Sequence, residues 1–272
     1  MLTEPRMEEM LPKAACAYEL AVLVSKRANQ LVEGAQPMIS EPAANMVSLA
    51  CKEIAEGKVV GVKGNLKKGE YAVPLTKEAR EAISAEKKAR EEAEAKAEEL
   101  LSRLPKAEKR IALCVKGTFA LKTWPKEYFV EVVEALAKRY DAAFFVVGAP
   151  NDREYADEVI AGMNRQSVMN FCGETNLVDL AALIRKADLL ITVDTGATHI
   201  AATTGVKMIT MYGCTSPDRW HPINKNAHVL TSRESCCPCS VREDECPSSP
   251  RPMCLWNIQP EEVLEICYEM LK

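Results

Sequence analysis

The sequence predicts an α/β fold: a doubly wound parallel sheet preceded by a small all-helical module and a long charged helix. Three observations predict it. Beyond residue 110, apolar runs of about five residues alternate with amphipathic stretches, the pattern of strands buried on both faces and covered by helices. Residues 76–110 carry ten basic and nine acidic side chains and few apolar ones. Residues 1–75 are mostly helical in pattern. A length of 272 residues fits about two domains, so the expected organisation is a helical module at 1–75, a charged helical linker at 76–110 and an α/β domain at 111–272.

Taken in order, Leu20, Leu23, Val24, Ala28 and Leu31 recur near helical spacing and predict a first helix closed by Gly34. Met46, Leu49, Ala50 and Ile54 stripe a second helix over 43–56 that ends at Gly57. So short a pair buries little apolar area by itself and leans on a partner. In the linker, Ala and long charged residues favour helix, and pairs such as Glu86/Arg90 and Glu92/Lys96 add support. Apolar positions are too few for a heptad seam, so the expectation is a solvated single helix ended by Pro105. Strands are then predicted at 111–115, 143–147, 168–170, 189–193 and 207–211, with helices at 126–139, 155–163, 177–186 and 197–203 between them.

Bulk properties exclude several classes. A net charge of −4 argues against a DNA-binding surface that works by phosphate neutralisation, and no direct nucleic-acid contact is expected. No apolar run reaches the roughly 18 residues that span a bilayer, and the N-terminus lacks the basic and apolar regions of a secretory signal. Most of the 11 cysteines are scattered singly, which fits a reducing cytoplasm.

The segments Tyr18–Leu31 and Cys51–Gly57, with Lys26-Arg27-Ala28-x-Gln30 and Lys52-Glu-Ile-x-Glu-Gly57 inside them, resemble the omega subunit of bacterial RNA polymerase. The resemblance covers residues 1–75. It implies a non-catalytic assembly role and the polymerase's largest subunit as partner, which suits a small module with apolar stripes and basic residues near a helix end.

The densest chemistry lies at Thr192-Val-Asp-Thr-Gly-Ala-Thr-His199. A strand ends there and a helix begins, and the unpaired N–H groups and dipole of a helix start favour an anion. Gly196 allows close backbone approach, Asp194 suits sugar hydroxyls, and His199 can donate to a hydroxyl or phosphate oxygen. The loop after the first strand adds Lys116 and Lys122. Lys122 is expected to be a mobile charge that neutralises a diphosphate, with Thr118 as a hydroxyl donor.

Together with Lys122-Thr-Trp-Pro125, Val146-Val-Gly-Ala149, Phe171–Leu177, Ala187–His199, Tyr212-Gly-Cys-Thr-Ser-Pro217 and Ile258-x-Pro-Glu-Glu-Val263, these residues resemble glycosyltransferase family 9, the ADP-heptose:lipopolysaccharide heptosyltransferases. The resemblance implies the C-terminal half of a GT-B fold. It places Thr118 and Lys122 near the diphosphate, Thr195 and Gly196 as backbone phosphate donors, and Asp194 and His199 near the sugar. It also implies a lipid-linked acceptor at the inner membrane. Cys214 stands where the family commonly has Pro. In the family, the acceptor and a catalytic carboxylate come from an N-terminal Rossmann-like half, which residues 1–110 do not resemble. No catalytic residue is therefore assigned, and donor binding without efficient transfer is expected. The joined reading is a fusion of an omega-like assembly module with a heptosyltransferase-like domain. The alternative is an omega subunit carrying a catalytically incomplete passenger.

Cys236, Cys239, Cys246 and Cys254 cluster before the last helix. A Cys-x-x-Cys pair with two later cysteines matches the composition of a structural zinc site. Reduced thiols packing a loop and a disulfide are the other readings, and no cofactor is required for the donor chemistry.

Overall fold

A computed structural model describes residues 5–62, 73–163, 168–239, 246 and 253–272. Residues 63–72 of the expected helical module and most of the loop after Cys239 thus lie outside the described residues. The chain divides into two compact units, Met1–Lys88 and Ala89–Lys272.

In the first unit, α1 spans Met7–Met10, α2 Ala17–Val32 and α3 Met46–Ala55. The predicted stripes meet: Leu20 packs with Met10, Cys51 and Ile54, and Ala28 and Leu31 pack with Leu49 and Ala50. Asn45 starts α3 by accepting a hydrogen bond from the Ser48 N–H at 2.9 Å. Gly34 ends α2 at φ +94°, and a Cβ there would lie 2.3 Å from the Ala79 Cβ, so both conformation and space demand glycine.

Between the stripes lies a buried ion pair. Arg27, 4% exposed, donates to Glu53, 0% exposed, at 2.5 and 3.2 Å and to the Gln36 carbonyl at 3.0 Å. Glu53 also accepts from the Met38 N–H at 2.7 Å. The Arg27 guanidinium thus staples α2, α3 and the loop between them, while Lys26 is exposed.

The charged helix α4 runs Lys77–Ser102. The expectation of a helix solvated throughout is corrected for its last turns. Ala93, Ala97 and Leu100 are at most 1% exposed and join a core with Leu183, Ile184, Leu190 and Phe145. Glu94 pairs with Arg185 and Lys186, and Glu98 pairs with Lys186. Small alanines at i, i+4 let the helix approach the sheet closely, and the flanking charges hide this narrow stripe from composition.

The second unit continues with β1 Lys109–Cys114, α5 Lys126–Arg139, β2 Ala142–Val146, α6 Arg153–Ala161, β3 Val168–Asn170, α7 Leu177–Arg185, β4 Leu189–Val193, α8 Gly196–Thr204, β5 Met208–Tyr212, α9 Pro217–Trp220, β6 Ala227–Thr231, α10 Met253–Trp256 and α11 Pro260–Met270. The six strands are all parallel in the order β3-β2-β1-β4-β5-β6. Ile111 pairs with Phe144 on one side and Leu189 on the other. Helices α5, α6 and α11 cover one face, and α4, α7 and α8 cover the other. This is the doubly wound sheet expected. Strand β6 escapes sequence reading because Ala227-His-Val-Leu-Thr231 is only half-buried and carries no continuous apolar run.

The strand order reverses between β1 and β4. Crossovers leave this pair toward opposite faces, so their carboxyl ends open a crevice.

Candidate functional site

The two sides of that crevice are the loop after β1 and the turn from β4 into α8. Both lie where the sequence places Thr118, Lys122, Asp194, Thr195, Gly196 and His199. Buried hydroxyls fix the turn: Thr198 donates to the Val193 carbonyl at 2.7 Å and lies 3.1 Å from the Thr192 hydroxyl. Thr195 caps α8 in extended conformation, and its side chain makes no capping bond to the helix. The first N–H groups of α8 therefore stay available at the crevice, with Gly196 exposed. A Cβ on Gly196 would meet nothing within 4 Å.

Across the crevice, Lys122 closes a short 3-10 turn, Ala120–Lys122, that tucks against Gly117. Its ammonium lies 2.7 Å from Asp194 Oδ2, with the two side chains 17% and 7% exposed. Lys122 is thus not the mobile charge expected but one pinned by Asp194. Thr215 donates to the same Oδ2 at 2.6 Å, and neither contact is made to Oδ1. An ammonium has three donors, so Lys122 can hold Asp194 and an incoming anion together. The Tyr212 phenol is pushed up by burial and then by the Asp194 charge, so it remains an O–H donor to the Trp220 carbonyl at 2.5 Å.

Two cavities share this frame. One of about 550 Å³ lies over β1 and β4 and is lined by Cys114, Lys116, Asn176, Leu180 and Ile200 among others. The second, about 460 Å³, holds Lys122, Asp194, His199, Thr215, Arg219 and Trp220. Thr118, Thr195 and Gly196 line both. His199 is exposed, with its ring centre 6.4 Å from that of Trp220. All six predicted residues therefore come together.

The sequence does not mark Thr215, Arg219 or Trp220 as site residues. Thr215 lies inside the block ending at Pro217, which names no role for it, and Arg219 and Trp220 lie just beyond that block. Lys116, to which the sequence assigns no role, lines the larger cavity and pairs with Asp152 at 3.2 Å.

Cys114, on the floor of the larger cavity, has its thiol pushed up by burial and so is not a nucleophile at neutral pH. Cys214 is buried 3.9 Å from the Leu121 carbonyl, and burial raises its thiol to about 12. In the C-terminal cluster, Cys236 and Cys239 are exposed, Cys246 is half-buried and Cys254 is buried in the core beside Cys237. Burial, then Cys254, push Cys237 up to about 12. Among the described residues no group of three or more His, Cys, Asp or Glu is arranged to hold a metal ion. Residues 240–245 and 247–252, which join the cysteines of this cluster, lie outside the described residues.

Residues 58–249 match the family model of glycosyltransferase family 9 (heptosyltransferase), and residues 10–59 match that of RNA polymerase Rpb6. Lipooligosaccharide heptosyltransferase 2 of Campylobacter jejuni is 29% identical over 154 residues, 56% of this chain and 47% of that protein. Lipopolysaccharide heptosyltransferase 2 of Escherichia coli is 30% identical over 125 residues, 44% of this chain and 35% of that protein. Among solved structures, Escherichia coli ADP-heptose lipopolysaccharide heptosyltransferase II superimposes with a TM-score of 0.56 at 20% identity, over 84% of this chain and 60% of the other. The family 9 glycosyltransferase of Veillonella parvula gives 0.56 at 21%, over 86% and 62%. The chain spans less than two thirds of the length of each of these relatives. The family 9 match runs over well more than half of the chain, so this protein is a member of glycosyltransferase family 9 (heptosyltransferase).

Proposed function

We propose that the α/β unit binds an ADP-heptose-like nucleotide-sugar as the donor half of a GT-B heptosyltransferase. The observation that carries this reading is the pair of cavities meeting over Thr118, Thr195 and Gly196 at the switch between β1 and β4. A nucleoside fits the larger, more apolar cavity and a sugar the smaller one beside Asp194 and His199. The diphosphate then crosses the junction onto the start of α8. Negative charge grows on the leaving diphosphate as the glycosidic bond breaks. The α8 N–H groups, the Thr118 hydroxyl and Lys122 would meet that charge already oriented. Asp194 would hold Lys122 through Oδ2 and take a sugar hydroxyl through Oδ1. The reading uses no cofactor. It places the protein in the cytoplasm, with its acceptor presented by lipid at the inner membrane.

Removing the pinned charge tests the donor contacts. Lys122→Ala should weaken ADP-heptose binding about 10- to 100-fold, the range of a charge-assisted hydrogen bond of about 1.5–3 kcal/mol. Unchanged affinity would remove Lys122 from the site.

Transfer also needs a base near the acceptor hydroxyl, a contribution of about 10²–10⁴ in rate. None of the described residues of the first unit forms part of the crevice just described. This chain alone should therefore show little transfer of radiolabelled heptose to a lipid-linked core acceptor, and transfer at the rates of intact heptosyltransferases would contradict this.

For the first unit we propose the omega role, docking on the largest subunit of RNA polymerase. Support comes from the Rpb6 match and from large apolar side chains left in the open: Tyr18 at 79%, Val32 at 72% and Val60 at 70% exposure. The same facts favour the second reading, polymerase assembly with the glycosyltransferase unit as passenger.

A further inference from the structure

Two ion pairs leave the donor crevice short of positive charge. Lys116 lies 3.2 Å from Asp152 in the larger cavity, and Lys122 lies 2.7 Å from Asp194 in the smaller. Each lysine is cancelled by its carboxylate. Among the residues lining the two cavities, Arg219 is the permanent charge left over, and it makes no ion pair with any described residue. We propose that α9 reads the sugar end of the donor: Arg219 bonds the β-phosphate, which carries the sugar, and the Trp220 ring stacks on the sugar itself. The proposal rests on the donor reading above and deepens it by assigning two residues that tell a sugar diphosphate from a shorter nucleotide.

Charge balance is the first argument. A sugar-linked diphosphate brings a negative charge on each phosphate. Lys122 can offer it a directed N–H but little net charge, because Asp194 shares the same ammonium. The start of α8 supplies only the partial charge of a helix end, about half an elementary charge. Arg219 supplies a whole one. Its guanidinium is always protonated, and its planar fork matches two phosphate oxygens at once. The residue is exposed, so the charge is not committed to holding the fold.

The second argument is an aromatic ring held open on a tied backbone. The Trp220 and Arg219 N–H groups donate to the Ser216 carbonyl at 3.1 and 3.2 Å, and the Tyr212 phenol donates to the Trp220 carbonyl at 2.5 Å. Tyr212 is 1% exposed at the end of β5, so it ties this one-turn helix to the sheet. Yet the indole of Trp220 is left 45% exposed, whereas Trp124 is fully buried. A ring face carries negative charge density, which attracts the polarised C–H bonds of a sugar ring while its hydroxyls bond elsewhere. Asp194 and His199 line the same cavity and offer those hydroxyls partners.

Position is the third. Arg219 and Trp220 line the smaller cavity and not the larger. They therefore stand beyond the junction at Thr118, Thr195 and Gly196, on the side away from the nucleoside.

The two residues should separate three ligands that differ by one group each. Full-length wild type, Arg219→Gln, Arg219→Lys, Trp220→Ala and Trp220→Phe are titrated calorimetrically with ADP and ADP-heptose, and AMP is measured by competition against ADP. Arg219→Gln should keep its AMP affinity and weaken ADP and ADP-heptose alike by about tenfold, the factor that about 1.4 kcal/mol produces. Arg219→Lys should fall between. Trp220→Ala should keep AMP and ADP affinity and lose a similar factor for ADP-heptose alone, most of which Trp220→Phe should retain. The proposal is overturned if Arg219→Gln binds ADP as wild type does or loses AMP to the same extent. It is equally overturned if Trp220→Ala leaves the ratio of ADP-heptose to ADP affinity unchanged, or if wild type binds ADP but not ADP-heptose. Failure of wild type to bind ADP removes the donor reading and this assignment with it. Should Trp220→Ala melt early, Trp220→Leu, which keeps apolar bulk without a ring face, takes its place under the same criteria.

Discussion

Gly196→Leu is expected to reduce ADP-heptose affinity about 100-fold or more, equivalent to about 2.7 kcal/mol, without destabilising the protein. A Cβ at this position meets nothing within 4 Å, and the residue opens α8, where Leu is a better helix former than Gly. The protein therefore tolerates the side chain. The added atoms instead fill the space that the two donor cavities share over the α8 N–H groups, where the diphosphate is proposed to lie. Calorimetric titration and a thermal melt on the same sample separate the outcomes. A melting temperature equal to or above wild type with lost binding is expected. Retained affinity would mean that the diphosphate does not pass over this turn.

Arg27→Met should be the most damaging substitution in the first unit. It leaves the Glu53 carboxylate, 0% exposed, without its counter-charge. Breaking such a pair by removing one partner costs about 3–5 kcal/mol. The Met38 N–H continues to donate to Glu53, which anchors the orphaned charge where water does not reach it. Arg27→Lys should fall between, because a single ammonium cannot reproduce the two contacts to Glu53 and the one to Gln36 made by the guanidinium fork. Urea unfolding followed at 222 nm should show an early transition in Arg27→Met. Co-purification with RNA polymerase should be lost in parallel, while ADP-heptose affinity is kept. An unfolding curve matching wild type would show that the pair does not hold this unit together.

Most of the second unit was legible because its strands are buried on both faces. Runs such as Leu189–Val193 and Ala142–Val146 contain little but apolar residues, and the helices between them follow a 3.6-residue period. The features that escaped share a cause, namely interactions that depend on residues far apart in sequence. Strand β6 is half-exposed at the sheet edge and lacks an apolar run. The last turns of α4 pack through Ala93, Ala97 and Leu100, too narrow a stripe to stand out among charges. Arg27 reads as a solvated basic residue until Glu53, 26 positions away, is seen against it.

The site divides in the same way. Asp194, Thr195, Gly196 and His199 sit in one strand-to-helix turn, so order and spacing expose them together. Thr118 and Lys122 followed from the loop after β1. That Lys122 is pinned by Asp194, and that Thr215 supports the same carboxylate oxygen, depends on three loops meeting at the sheet's carboxyl edge. Only the fold shows that.

On the proposed function, the crevice between β1 and β4 holds an ADP-sugar. Parallel calorimetric titrations of the full chain with ADP, ADP-heptose and UDP-glucose test it most directly. ADP and ADP-heptose should each bind at one site per chain and compete with one another, with UDP-glucose markedly weaker. No measurable heat from either adenine ligand, or equal affinity for UDP-glucose, would contradict it.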